Sequence, residues 1–385
     1  MPRKSNRQQT AVALALRCLL CIAVWQNSVS HAQGASGWVL GASASQESVG
    51  LNLPVLALEQ PDWPLYLASP NAPGRAFQEI KAEVNARHPS GWRVAAFARA
   101  QAWLEASADA VTIGAAQTLG GNPKDQRGYL LSANSQSWSG NGITLSTPWW
   151  PVGTSQHWQW QADVSLLQLQ RLRLAELGGS LTYKGNNAYD FDLWSQRSNT
   201  DITGRFLPPS GASGSGASVS VAVQGQPMSG WHVALRADDL ASTLQWNDLA
   251  TDANTLQSAN TTRRPDGYLD YAAFLKGKKS LMPITSQIAT RWQLAVAYSL
   301  NPAAVAGPEL TWQTSRQASI NQNWIGWGSA PLQSAQAHWS LALEPHWPAL
   351  KLEAVWHGWQ LVLATDGKGT DTQYRRLELR WETTY

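Results

Sequence analysis

Side chains on an extended strand alternate between two faces, and long stretches of this chain follow that period of two. Ile80, Ala82, Val84 and Ala86 alternate with Lys81, Glu83, Asn85 and Arg87. The turn His88-Pro89-Ser90-Gly91 follows, with Pro and Gly where a tight turn needs them. Trp92, Val94, Ala96, Ala98, Ala100 and Ala102 then run back opposite Arg93, Phe97, Arg99 and Gln101. Further on, Trp158, Trp160, Ala162 and Val164 oppose Gln159, Gln161, Asp163 and Ser165. Gly179, Leu181 and Tyr183 lead to a turn at Gly185-Asn186-Asn187, after which Tyr189, Phe191 and Leu193 alternate with Asp190 and Asp192. Val219 to Val223, Trp231 to Leu235 and Ile288 to Tyr298 continue the pattern, as do Leu310 to Thr314, Ile320 to Trp324, Ala337 to Leu343 and Leu350 to Trp356.

Between these runs the pattern weakens. In residues 34–75, Pro54, Pro61, Pro64, Pro70 and Pro73 break what begins as a strand at Trp38-Val39-Leu40, which predicts an extended, plug-like segment. Residues 105–119 lose the two-residue period and predict a short helix, and residues 120–136 read as a loop. Leu166 to Leu177 changes phase twice and admits no turn assignment. Pro208 to Gly216 has the composition of a flexible loop. It has neither the Lys-Ser/Thr of a phosphate-binding loop nor the Gly-x-Ser-x-Gly of a nucleophile elbow. Residues 238–267, rich in Asp, Asn and Thr, read as a connection too long to be ordinary.

The last nine residues are the most telling. Leu377, Leu379, Trp381, Thr383 and Tyr385 share one face, and Arg376, Glu378, Arg380, Glu382 and Thr384 the other. A chain that stops on an aromatic at the end of such a strand resembles bacterial outer-membrane β-barrel proteins. The resemblance is to a broad class. It implies that this strand closes a barrel in the cell outer membrane and that Trp381 and Tyr385 form the signal read by the barrel-assembly machinery. The alternative is the edge strand of a soluble sheet.

The beginning of the chain fits export. Arg3, Lys4 and Arg7 precede an apolar run from Ala11 to Trp25, and Ser30-His31-Ala32 offers small residues to a signal peptidase, so residues 1–32 read as a cleaved signal peptide. Both cysteines, Cys18 and Cys21, lie inside it, which excludes disulfides and cysteine–metal sites beyond it. The chain has 29 basic and 26 acidic residues, and loss of Arg3, Lys4, Arg7 and Arg17 with the leader brings them into near balance. Nothing in that balance favours a nucleic-acid partner. No later run reaches the ~18 apolar residues of a membrane helix. Yet the chain holds 22 Trp against 14% charged residues. Indole sits well at the headgroup level of a bilayer, so the excess fits a barrel in lipid. It also fits an exported, soluble, Trp-rich glycan-binding protein.

The fold expected is all-β: residues 33–75 as an N-terminal segment and residues 76–385 as a single antiparallel transmembrane barrel. About 14 strands are long enough to cross a bilayer, with 12 and 16 as the neighbouring even counts. The lumen-facing candidates for solute binding are Arg93, Arg99, Asp163, Asp190, Asp192, Arg236 and Arg291. Lys351, Glu353, Arg376, Glu378, Arg380 and Glu382 complete them. Such a wall suits a porin-like channel for small polar solutes or glycans. It equally suits a closed or narrow barrel in which the charges pair across strands. His232, His338 and His357 share that face, but no His-Glu-x-x-His or paired-ligand spacing occurs, so no enzyme, metal or other cofactor is expected.

Overall fold

The computed structural model describes residues 37–55, 63–67, 69, 71–153, 155–201, 213–258, 261–263, 269–271, 274–301, 308–329, 337–346, 348–367 and 372–384. The expected signal peptide, residues 1–32, lies outside them, as do Tyr385 and residues 208–212. The described strands close into an antiparallel barrel. Its wall begins at β1 (Val39–Leu51), β2 (Gly74–Arg87), β3 (Arg93–Ala106) and β4 (Gly128–Ser146), which β5 (Trp150–Val152) continues. Then come β6 (Ser155–Gly185), β7 (Ala188–Asn199), β8 (Gly214–Gly225) and β9 (Trp231–Gln257). A two-strand excursion, β10 (Thr261–Arg263) with β11 (Leu269–Tyr271), precedes β12 (Leu275–Ser286) and β13 (Arg291–Ser299). The wall ends in β14 (Pro308–Gln317), β15 (Ile320–Ser329), β16 (Ala337–Glu344), β17 (Ala349–Trp356), β18 (Trp359–Thr365) and β19 (Tyr374–Thr384).

Seventeen of these segments form one sheet. They fill 14 wall positions, because β8 continues β7 along β6 and β9, and β13 continues β12 along β9, as β5 continues β4. β1 pairs with β2 on one side and β19 on the other, from Val39↔Thr384 to Val49↔Tyr374, and this closes the ring. Val39–Leu51 is therefore a wall strand. The barrel starts there, not at Ala76. In the proline-rich stretch that follows, the 3-10 turn Trp63–Tyr66 packs through Trp63 against Leu53, Ala76, Ala106 and Val111. Ala76 and Ala106 sit on the face opposite the lumen residues Phe77 and Gln101, so this described turn packs against the outside of the wall and does not plug the lumen.

Three further expectations change. Gly128–Ser146 is strand, although residues 120–136 read as a loop, and residues 238–257 are the upper half of β9. Its first part still lies beside the belt, with Ala241 and Thr243 paired through Val219 and Ala217 to the level of Val164 and Leu166, and the polar residues that follow rise beyond it. Gly214 likewise already belongs to β8. The phase change in Leu166–Leu177 has a local cause. Ser139 pairs with Arg171 and Gly140 with Leu169, so Gln170 is an extra residue, a bulge that moves the following side chains to the other face. The helix expected at 105–119 is present as α1 (Ala108–Thr118).

Wall height is uneven. β16 to β18 span 7 or 8 residues, but β6 runs for 31 and β9 for 27. We call the end that holds Val39, Thr384 and the His88–Gly91 turn the turn end, and the other the loop end. The outward face is apolar: Val94, Leu166, Ile325, Leu350 and Leu377 are all exposed there. Near the turn end it is ringed by aromatic contacts, with Trp92 on Trp150, Trp150 on Trp160, Trp231 on Tyr298, Trp327 on Trp339 and Trp359 on Trp381. An apolar belt with an indole girdle is the exterior a bilayer requires.

Candidate functional site: a charged cavity inside the barrel

The faces opposite the apolar belt converge on a cavity of about 520 Å³. Because the strand period is two, the strands that line it contribute alternate residues: Lys81, Glu83, Asn85 and Arg87 from β2, Arg93, Phe97 and Arg99 from β3, Arg376, Glu378 and Arg380 from β19. Glu79, Asp163, Arg236, Asp238, Asp239, Arg291 and Gln293 add further charged and polar lining. Of the residues expected from the sequence, Arg93, Arg99, Asp163, Arg236, Arg291, Arg376, Glu378 and Arg380 meet here.

Nearly all of these charges are paired. Arg99 holds Glu79 at 2.6 Å and Asp239 at 2.7 Å, and its guanidinium lies over the ring of Trp138. Arg236 joins Asp163 at 2.9 Å and Asp238 at 2.6 Å. Glu83 is shared by Lys81 and Arg93, Arg376 pairs with Glu378, and Arg380 with Glu382. Two of the ion pairs cross the lumen. Arg99 and Asp239 sit on β3 and β9, four wall positions apart. Arg291 and Glu47, 2.7 Å apart, sit on β13 and β1, seven positions apart in a ring of fourteen. Opposite walls are thus tied directly. Glu47 is a hub, since it also accepts hydrogen bonds from the Tyr374 hydroxyl and the Gln322 amide. Sequence reasoning missed Glu47, Glu79 and Asp239. Glu47 and Glu79 lie in or beside the stretch read as a plug, and Asp239 at the start of the presumed loop.

Toward the loop end the lumen is filled by side chains. Val49, Phe77, Trp324 and Tyr374 form one buried apolar cluster against β15 to β19. Trp138, Leu167, Leu169, Leu244, Trp246 and Leu249 form a second against β4 to β9. Gly142 allows this packing, because a Cβ there would come within 2.5 Å of the Phe97 ring. The cavity reaches Asn85 and Arg87, the last residues of β2, and so opens toward the turn end. A smaller cavity of about 460 Å³ lies beside it there, lined by Gln159, Gln224, His232, Ala234 and Ala295.

The remaining candidates lie elsewhere. Lys351, on the lumen face of β17, donates to Gln313 and lies over the Trp324 ring, and Glu353 accepts from Gln360. Asp190 and Asp192 are exposed on the tall hairpin, where they meet Lys184 and Gln257. They continue the lumen face in register but stand beyond the closed lumen. Trp381 is on the lipid face as expected, yet only 8% exposed, opposite Ala42 and Trp359. His232 and His338 keep to the lumen face, but His357 belongs to the β17–β18 turn at a positive φ.

No family model matches the sequence, and no curated protein is similar to it. Among solved structures, the chain is similar to a P. putida toluene transporter, TodX, with a TM-score of 0.38 at 8% identity over 91% of each chain. It is similar to the translocator domain of the autotransporter NalP from Neisseria meningitidis, with a TM-score of 0.27 at 10% identity over 98% of this chain and 97% of that one. At such scores and identities these likenesses carry no argument about activity. The wall itself defines the class, a closed antiparallel 14-strand β-barrel of the bacterial outer-membrane type.

Proposed function

We propose that the protein is a narrow outer-membrane barrel, with a charged vestibule open to one side and barred at mid-height. Of the two lumen readings that the sequence leaves open, the braced interior favours this one over a freely conducting, porin-like pore. The observation that carries it is the Arg291–Glu47 pair between opposite walls, with apolar side chains filling the lumen loop-ward of it. The two largely buried charges compensate one another, so parting them would leave each without its partner, and the tie resists spontaneous opening. Any solute that enters is small and polar, as the lining of the vestibule requires.

Two measurements test this. The protein should fractionate with the outer membrane and migrate differently on a gel before and after boiling; recovery in an osmotic-shock supernatant would remove the membrane reading. Purified protein in a planar bilayer should show no stable open channel. Large, long-lived ohmic steps from the unmodified protein would restore the porin-like reading.

A further inference from the structure

On the described strands, no charged side chain faces outward between the tryptophan girdle and one level nearer the loop end. On β6 the outward residues Trp160, Ala162, Val164 and Leu166 are apolar, Gln168 is the first polar one, and after the bulge come Arg171 and Arg173. A strand tilted by ~40° gains about 2.5 Å of height per residue. Arg171 therefore stands roughly 25 Å from Trp160, the height of the apolar band of such barrels. The two guanidiniums lie at the far boundary of the hydrocarbon.

Their surroundings are polar on the same face. Ser137 is paired in register with Arg173 and Ser139 with Arg171, while Asn141 pairs with Gln168. One row further on, Arg197, Asp252 and Lys279 are register partners across β7, β9 and β12. Arg316 and Arg375 occupy the corresponding outward positions on β14 and β19. The acids present do not use up these donors. Asp201 takes one Nη2 from each of Arg171 and Arg173, Asp252 one from Arg197, and the buried Nε of Arg171 has no partner. A guanidinium has five N–H groups, so most of them have no acidic partner among the described residues.

We propose that this outward patch, centred on Arg171 and Arg173 with Arg197 and Lys279 beside them, binds the phosphate groups of a phosphorylated lipid headgroup. The lipid belongs to the leaflet at the loop end. Arginine forks match phosphate bidentately, and the neighbouring serine hydroxyls and amides supply further hydrogen bonds. The height favours a lipid as the source, because an acyl chain from a headgroup held here runs down the apolar face of β6 and β8. The inference rests on the belt facing lipid, which gel migration and membrane fractionation test separately.

The experiment is native mass spectrometry of the intact barrel in detergent, with a bisphosphorylated glycolipid, the same glycolipid dephosphorylated, and inorganic phosphate as competitor. The protein should hold the phosphorylated lipid about tenfold tighter or more, and excess inorganic phosphate should not displace it. Arg171→Gln, Arg173→Gln, Arg197→Gln and Lys279→Gln together should abolish that preference while the boiled and unboiled bands remain distinct. Lys276→Gln with Lys278→Gln, on the opposite face of β12, should change nothing. Equal retention of both lipids, displacement by inorganic phosphate, or an unaltered preference in the fourfold variant would overturn the proposal.

Discussion

Gln293 and Leu294 are neighbours in sequence and face different surroundings. Gln293 lines the charged cavity, and Leu294 sits in the outward row between Trp292 and Val296, beside Leu235 and Thr314. The period of two makes this separation absolute, since a shift of one residue would exchange the two sets. An arginine placed on the lipid face near the bilayer midplane costs roughly 2–4 kcal/mol, and much less near the interfaces. Leu294→Arg should therefore lower folding yield into lipid vesicles and the midpoint of denaturant unfolding, while Gln293→Arg should leave both nearly unchanged. Equal effects from the two variants would refute the register.

At the level of elements, α1 shows how one local motif protects an edge. β3 ends opposite Ala133, which leaves the outer edge of β4 unpaired from Gly128 to Ser132. The start of α1 fills that gap. Ser107 caps the helix by accepting from the Ala110 N–H, and the same hydroxyl accepts from the Ser132 N–H, while Asp109 accepts from the Leu130 N–H at 2.8 Å. An exposed edge invites pairing with another chain, and this cap blocks it. The hydrogen bond from Arg127, aided by that from Leu130, holds the Asp109 carboxyl below the usual carboxylate range. Its contribution is present above the ordinary Asp value near ~3.9 and is lost as pH falls through the lower folded value. The Leu130 amide should stay protected from hydrogen exchange at mildly acidic pH and lose protection only below that range. In Asp109→Asn, exchange should be faster already at neutral pH and show no such step; a variant matching the parent would rule out the cap.

The same scale shows what the sequence made legible. The β2–β3 hairpin, the Gly185–Asn187 turn and β13 were readable because one face is apolar throughout. β4 was not, since it points Ser137, Ser139 and Asn141 outward and Trp138 inward, which inverts the expected pattern. Within β6 the bulge at Gln170 hid a continuous strand as two. β12 and β18 were missed as well, the former because Lys276, Lys278, Lys279 and Pro283 belong to a segment at and beyond the edge of the hydrocarbon, where the apolar alternation lapses. The expected count of 14 nevertheless matches, because segments of β6 and of the β7–β8 position, counted separately, offset strands overlooked. The charged wall of the site was legible from alternation alone. Its cross-lumen partners were not, because no local pattern shows which walls a closed ring brings face to face.

For the whole molecule, the distribution of side chains along the axis separates the two ends. From the turn end inward come the tryptophan girdle, the open charged vestibule, the layer of crossing ion pairs, and then the apolar clusters beneath the tall wall. A polar probe entering from the turn end meets Gln293 before it reaches the Arg99–Asp239 and Arg291–Glu47 ties. One entering from the loop end meets Asp192 first, on the exposed inner face of β7. Cys18 and Cys21 are the chain's only cysteines, so with the expected leader removed, or with both changed to serine, single cysteines at these two positions can be spin-labelled without background. In vesicles holding the barrel in one orientation, a water-soluble paramagnet that cannot cross the bilayer should quench the label at 293 only from the turn side and that at 192 only from the loop side. A label at 294 should instead respond to oxygen dissolved in the lipid from either side. If the reagent reaches 293 from both sides, the lumen is continuous and the ion pairs do not seal it; if it reaches 293 from the loop side alone, the vestibule opens at the other end.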